Sequence, residues 1–176
     1  MRPPTVLETA RLRLRLLTDD DAAFILALLN EPSFIENIGD RGVRTTEGAR
    51  RYLAEGPIAS YARHGYGLYM AELAATGEPI GICGLVKRDY LEHADIGFAF
   101  LPHFWSQGYA CEAAAAVKAL ALATLGLPRV LAITSPGNTG SVRVLEKIGL
   151  RFQGMIRPPN DAAEVRLFSS GDAKQT

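Results

Sequence analysis

The chain has 176 residues, 48% of them hydrophobic, and its 19 basic residues balance its 19 acidic ones. This size supports a substantial core, and no interior run of Gly, Ser or Pro resembles a linker. We therefore expect one domain over residues 1–168, followed by a polar tail over residues 169–176. The balanced charge gives no electrostatic argument for nucleic acid or an anionic membrane as a partner.

The two cysteines, Cys83 and Cys111, form neither a CxxC pair nor a disulfide framework, which indicates a reducing, cytoplasmic environment. The N-terminal residues lack an apolar signal core, and no segment approaches the length of a membrane-spanning helix. We expect a cytoplasmic protein with no membrane segment and no bound metal.

The first half of the chain predicts a strand followed by helices. Leu and Arg alternate strictly over residues 11–16, which is typical of a half-buried strand. Thr18 then begins a helix with acidic residues in its first turn, and Pro32 ends it. Residues 33–44 are expected to be irregular. A second helical region begins at Thr45 or Thr46 and is interrupted at residues 56–57.

The second half predicts a meander and then alternating helices and strands. Meander strands are expected at residues 68–73, 79–87 and 94–101. Helix, strand, helix and strand follow at residues 109–125, 130–134, 139–148 and 150–157, with a last strand at 164–168. This order predicts an α/β (α+β) fold with a mixed, largely antiparallel central sheet flanked by helices.

The most informative stretch is residues 104–113, where a small-residue turn runs directly into an alanine-rich helix. The first N–H groups of a helix have no intrahelical partners, so this end can hold phosphate oxygens. Small residues at Gly108 and Ala110 let a pyrophosphate reach the backbone. We predict a pyrophosphate site over residues 107–111, which comprise Gln107, Gly108, Tyr109, Ala110 and Cys111.

A second motif covers residues 138–149, in which Asn138 and Ser141 open a helix that Gly149 closes. Together, the two motifs resemble those of the GNAT superfamily of acetyl-CoA-dependent N-acetyltransferases, and the order of elements over nearly the whole chain agrees. The Phe104–Trp105 pair before Gly108 is similar to the branch of ribosomal-protein N-terminal acetyltransferases.

The resemblance implies acetyl-CoA as co-substrate, held between splayed central strands. It implies cofactor contacts from the fourth-strand backbone at Phe98, Phe100 and Leu101, and from Trp105. Asn138 and Ser141 are expected near the pantetheine arm and the sulfur.

The implied reaction is direct attack of a primary amine on the thioester, so no covalent enzyme intermediate is required. Many relatives carry a helix Tyr as the acid for the leaving thiolate. This chain does not, which leaves Ser141 for that role. Asp95 is the predicted acceptor of the amine proton, with Glu92 or His93 as substitutes.

Three function classes follow. The first is an N-acetyltransferase acting on a peptide N-terminus or a small amine. The second is a non-catalytic acyl-CoA sensor, and the third is a hydrolase using Cys111 with His103 or His93. Glu112, in the first turn of the cofactor helix, is expected to complement the helix dipole. A homodimer through an exposed edge strand is also possible.

Overall fold

The structure, a computed structural model, describes residues 2–171. One eight-stranded sheet has the spatial order β1-β2-β3-β4-β5-β6-β8-β7, and its neighbours are antiparallel except β5 and β6, which are parallel. The strands are β1 Thr5–Glu8, β2 Leu12–Leu16, β3 Leu68–Leu73, β4 Pro79–Val86, β5 Asp95–Phe100, β6 Leu131–Thr134, β7 Arg151–Ile156 and β8 Val165–Ser169.

Helices cover both faces of the sheet. They are α1 Ala22–Leu29, α2 Pro32–Asn37, α3 Thr46–Leu53, α4 Ala59–His64, α5 Tyr109–Ala119 and α6 Thr139–Lys147. One apolar cluster joins the sheet to α5 and α6, and a second joins its other face to α1, α2 and α3. This architecture confirms the predicted mixed α/β fold with a largely antiparallel sheet.

The structure differs from the predictions in the N-terminal half. The first predicted helix does end before Pro32, since α1 ends at Leu29, but residues 33–44 are not all irregular, because Pro32 opens α2, where its missing N–H costs no hydrogen bond. The predicted interruption at residues 56–57 is a π-helical turn, Ala54–Ile58, that joins α3 to α4. Strand β1 was not predicted.

The expectation of a half-buried β2 was wrong, because the arginine face of this strand is covered as well. Arg15 is buried and donates to Asp21 and Glu72 at 2.9 and 3.0 Å. Arg13 contacts the same Glu72 at 3.3 Å. Buried charges require such partners, so alternating Leu and Arg here indicates a central strand with an ionic cluster on one face.

The sheet opens between β5 and β6. The two strands share a single register pair, Asp95 with Leu131, and then separate. The opening therefore lies at the carboxyl ends of two parallel neighbours in the middle of the sheet. This matches the splayed central strands implied by the resemblance.

The edges of the sheet are β1 and β7. A homodimer through an exposed edge stays a prediction, as does the domain boundary at residue 168. Ser169 still belongs to β8, and the Ser170 N–H donates to the Val130 carbonyl. Met1 and the end of the predicted tail, residues 172–176, lie outside the described residues. Within residues 2–171, no helix is long and apolar enough to cross a membrane.

Candidate active site

The loop before α5 is built to present N–H groups. Gly108 precedes the helix with φ +84°, and Ser106 has φ +61°, so the backbone turns sharply twice. The N–H groups of residues 107–111 donate to no other group in the part of the chain that the structure describes. Five adjacent free donors at a helix N-terminus form a site for phosphate oxygens.

Arg11, between β1 and β2, holds this loop from its protein side. Its Nε donates to Glu112 Oε1 at 2.8 Å, its Nη1 donates to the Gln107 carbonyl at 2.9 Å, and its guanidinium lies 4.3 Å from the Tyr109 ring centre. Thr9 Oγ1 also donates to Glu112, at 2.5 Å. Burial pushes the pKa of Glu112 up, but the bonds from Thr9 and Arg11 outweigh burial and lower it. Glu112 therefore anchors the loop to the sheet.

A cavity of about 560 Å³ lies over this loop and the start of α6. Of the predicted cofactor-binding residues, it is lined by Phe98, Phe100, Trp105, Gly108, Tyr109, Ala110, Cys111, Asn138 and Ser141. Arg143 and Lys147, one turn apart on α6, also line it, so two cations share the cavity with the N–H groups. We call this space the donor cavity.

The free edge of β5 forms one wall of the donor cavity. Leu101 N–H donates to the Ile80 carbonyl on β4, and antiparallel pairing alternates, so Phe98 and Phe100 direct their backbone groups toward the opening. The Phe100 carbonyl accepts from Trp105 Nε1 at 2.8 Å. The free donors here are therefore the N–H groups of Phe98 and Phe100.

Two residues predicted to contact the cofactor, Leu101 and Gln107, do not line this cavity. Leu101 lines neither cavity, and its N–H donates to the Ile80 carbonyl of β4, so this N–H is not free for a cofactor and the predicted contact stays a prediction. The Gln107 side chain donates to the His103 carbonyl at 3.0 Å. Of the Gln107 groups, only the backbone N–H is therefore available for the predicted contact with the cofactor phosphates.

A second cavity of about 420 Å³ lies on the other side of the opening. We call it the acceptor cavity. Residues of α2, β5 and α6 line both cavities, namely Phe34, Asn37, Ile38, Phe98, Ala99, Asn138 and Ser141. The two spaces thus meet beside the free edge of β5, and Ser135 Oγ holds α2 over the junction by donating to the Asn37 carbonyl at 2.8 Å.

Asn138 and Ser141 occupy this junction with different roles. The Asn138 side chain accepts from the Ser141 N–H at 3.2 Å and caps α6. The Ser141 hydroxyl has no protein partner among the described residues and lines both cavities. Asn138 therefore has a structural role at least, whereas Ser141 Oγ is free to contact a ligand.

Asp95 lies on the acceptor cavity at the point where β5 and β6 part. It is 2% exposed, and its Oδ1 accepts from Arg88 Nε at 3.0 Å. Burial raises the pKa of this carboxyl, and the positive charge of Arg88 limits the rise. Its predicted role as proton acceptor stays a prediction.

The substitutes for Asp95 lie outside both cavities. The Glu92 side chain is 79% exposed, and its carboxylate is 3.8 Å from His93 Nε2. Glu92 points outward from the segment between β4 and β5, and His93, whose side chain is 22% exposed, also lines neither cavity.

Cys111 lines the donor cavity without a histidine beside it. The His103 ring packs edge-on against Phe104, with ring centres 5.0 Å apart, and no contact joins it to Cys111 in the described range. A nucleophilic thiol needs an adjacent base, so this arrangement does not favour a Cys–His hydrolase.

Sequence reasoning missed three polar groups around the opening. Arg11 supports the cofactor loop, Arg88 pairs with Asp95, and Thr134 Oγ1 is buried on the acceptor cavity without a hydrogen-bond partner among the described residues. Their roles depend on contacts between distant segments. Alternating Leu and Arg in β2 was the only local signal, and it does not single out Arg11.

Comparisons with known proteins agree with this geometry. The family model described as acetyltransferase (GNAT) domain matches residues 11–151. The protein YkkB of Bacillus subtilis, which is uncharacterised, is 32% identical over 163 residues, covering 91% of this chain and 93% of its own. An acetyltransferase structure from Agrobacterium tumefaciens superposes with a TM-score of 0.81 at 27% identity, covering 98% and 96% of the two chains.

A ribosomal L7/L12 alpha-N-protein acetyltransferase, solved in complex with coenzyme A, superposes with a TM-score of 0.78. Its identity to this chain is 17%, and the match covers 94% of this chain and 97% of that one. At this level of sequence identity, the superposition is evidence for a shared fold alone.

Proposed function

Because the chain belongs to the GNAT acetyltransferase family and is therefore an acyltransferase that uses acetyl-CoA, we propose that it transfers the acetyl group to a primary amine by direct attack. The observation that carries this proposal is the junction of the two cavities beside the free edge of β5. A donor on one side and an amine on the other would meet there without a covalent enzyme intermediate.

The donor side has a group for each part of acetyl-CoA. The N–H groups of residues 107–111 and the cations Arg143 and Lys147 would hold the phosphates. The free edge of β5 would pair with the amide-containing pantetheine arm. A strand edge is suited to this because its unpaired N–H and C=O groups match those of an amide chain.

The junction supplies the polar groups that the chemistry needs. As the amine attacks, negative charge develops on the carbonyl oxygen, and the Phe98 or Phe100 N–H is positioned to stabilise it. Ser141 Oγ would donate toward the departing sulfur. The amine proton would leave through the acceptor cavity, where Asp95 is the nearest predicted carboxylate.

A screen of amine acceptors with acetyl-CoA tests the proposal, with free thiol as the readout. Amine-dependent release of thiol, and an acetylated product with the mass of the acceptor plus one acetyl group, is the expected result. Binding of acetyl-CoA without turnover on any amine would instead favour the acyl-CoA sensor. Thiol release independent of amine would indicate hydrolysis.

A further inference from the structure

The acceptor cavity contains an arginine that is held in place by a buried carboxylate. Arg88 Nε donates to Asp95, and the Arg88 side chain is 29% exposed on the cavity. Its two terminal nitrogens have no protein partner in the chain from residue 2 to residue 171. A guanidinium fixed through Nε presents its remaining N–H groups in a rigid fork, which suits a carboxylate or phosphate.

A second arginine shares this cavity with Arg88. Burial raises the pKa of the Tyr52 phenol, which also lines the cavity, and the positive charges of Arg41 and Arg88 oppose this rise. Arg41 lines the same cavity and makes no ion pair with any described residue. Two guanidinium groups in one cavity provide several N–H donors for an anionic group of a ligand.

Two carboxylates line the cavity as well, so its formal charge is balanced, and a preference for an anion depends on the free N–H groups of the two arginines. Asp95 is already engaged by Arg88. Asp161, in the segment between β7 and β8, is exposed, and its Oδ1 accepts from the Ala163 N–H. Arg41 therefore has no carboxylate bound to it.

The cavity also contains a buried hydroxyl that lacks a partner. Thr134, at the end of β6, is 8% exposed, and its Oγ1 makes no hydrogen bond within the described residues. A buried polar atom without a partner is costly. Oγ1 itself is almost completely enclosed by protein, so a ligand in the cavity does not reach it in this conformation, and the arginines remain the groups that bind the ligand.

The spacing of residues along β5 gives an approximate length for such a ligand. Asp95, which holds Arg88, and Phe98, which lines the junction, are three residues apart on β5, or about 10 Å at the rise of a strand. An extended peptide covers this distance with an acidic side chain at its second or third residue. A free α-amino acid is too short.

We propose that the acceptor is a peptide N-terminus with an acidic side chain at its second or third residue, which Arg88 and Arg41 bind. This rests on the proposed acetyl transfer to an amine and names the acceptor class of that site. Asp95 acts in it as a positioning residue for Arg88.

Matched acceptors test the proposal. Short peptides that differ only at the third residue, with Asp, Asn or Lys, are compared by kcat/KM, alongside spermidine. A linear ω-amino acid of similar length and the alkylamine without its carboxylate form a small-molecule pair. We expect the Asp peptide to exceed the Asn peptide by about tenfold to a hundredfold, mostly through KM, because charge-assisted hydrogen bonds are at stake.

Two variants assign the effect to the cavity. Arg88→Gln should remove most of the preference for Asp over Asn. The Arg88→Gln change leaves Asp95 buried without its ion-pair partner and can therefore impair folding. Arg41→Gln, at an exposed position, provides a second test that does not depend on the folding of the Arg88 variant. Arg63→Gln is the matched control, since Arg63 is exposed on α4 and lines neither cavity. It should keep the wild-type preference.

The outcomes separate this proposal from the acetyltransferase activity. Equal kcat/KM on the Asp and Asn peptides, or a preference for the Lys peptide or spermidine, would overturn the acidic-acceptor proposal and leave amine acetylation standing. A preference for the ω-amino acid over every peptide would assign the anion site to a small molecule and overturn the peptide class. If no amine in the set is acetylated, the proposed acetyltransferase function itself is refuted. A preference unchanged in both arginine variants would also refute the assignment.

Discussion

Replacing Gly108 by Ala tests the donor site most directly, because this glycine adopts a conformation that a side chain disfavours and lies among the free N–H groups. With φ at +84°, the left-handed backbone costs a residue with a Cβ about 1–2 kcal/mol. The added Cβ would also lie 3.2 Å from Arg11 Nη2, so the guanidinium that holds the loop must move. For a chain of this size, the strain corresponds to a fall in Tm of roughly 2–8 °C.

The effect on acetyl-CoA is expected to be separate from this loss of stability. A methyl group beside the N–H groups blocks close approach of a phosphate, and losing one charge-assisted hydrogen bond weakens binding by about tenfold or more. Acetyl-CoA at 100 times the wild-type Kd stabilises the wild type by about 2.7 kcal/mol. The same concentration stabilises a tenfold weaker variant by only about 1.4 kcal/mol.

Gly126→Ala is the matched control for this experiment. Gly126 follows the helical segment that begins with α5 and also has a left-handed φ, +68°, but no atom lies within 4 Å of an added Cβ. We expect a similar loss of Tm without ligand and a wild-type Kd for acetyl-CoA. Calorimetric Kd values and melting curves with and without acetyl-CoA provide the comparison. If Gly108→Ala binds acetyl-CoA as tightly as Gly126→Ala, the loop does not hold the phosphates.

Three further changes examine individual groups of the site. Ser141→Ala should lower kcat by about tenfold to a thousandfold; weaker donor binding at unchanged kcat would reduce Ser141 to a positioning contact. Cys111→Ala should leave turnover nearly intact, and loss of activity would revive the thiol mechanism. If Asp95 takes the amine proton, wild-type kcat/KM falls as pH drops through the raised pKa of this carboxyl. The activity of Asp95→Asn then recovers at high pH on every acceptor. If Asp95 acts only through Arg88, the variant changes KM for acidic acceptors alone.

The contacts of Glu112 with Thr9 and Arg11, which anchor the cofactor loop, make the stability of the protein depend on pH. Because the folded-state pKa of Glu112 is lowered, its stabilising effect is present above its ordinary value of 4.5 and is lost as pH falls through the lower, folded value. The Tm difference between wild type and Glu112→Gln should therefore be largest near neutral pH and shrink in acid. A Tm difference that is independent of pH would contradict a stabilising ion pair between Glu112 and Arg11.

Much of the fold was readable from local patterns. The meander, the cofactor helix and the order of the last four elements follow from hydrophobic periodicity and from Gly and Pro signals, which act over a few residues. The errors came where tertiary contacts override such signals. Residues 32–37 form α2 instead of an irregular segment, with Phe34 packed in the core, and Arg15 is buried because Glu72, 57 positions away, supplies its partner.

For the site, the sequence by itself determined the chemistry of the donor side. A small-residue turn at a helix start specifies free N–H groups wherever it lies, since the missing hydrogen bonds are a local property of the helix end. Only the tertiary structure decided the acceptor side. Whether Asp95 faces solvent or Arg88, and whether Leu101 N–H is free or bound to β4, depends on strand register and on side chains from separate elements, which no local pattern records.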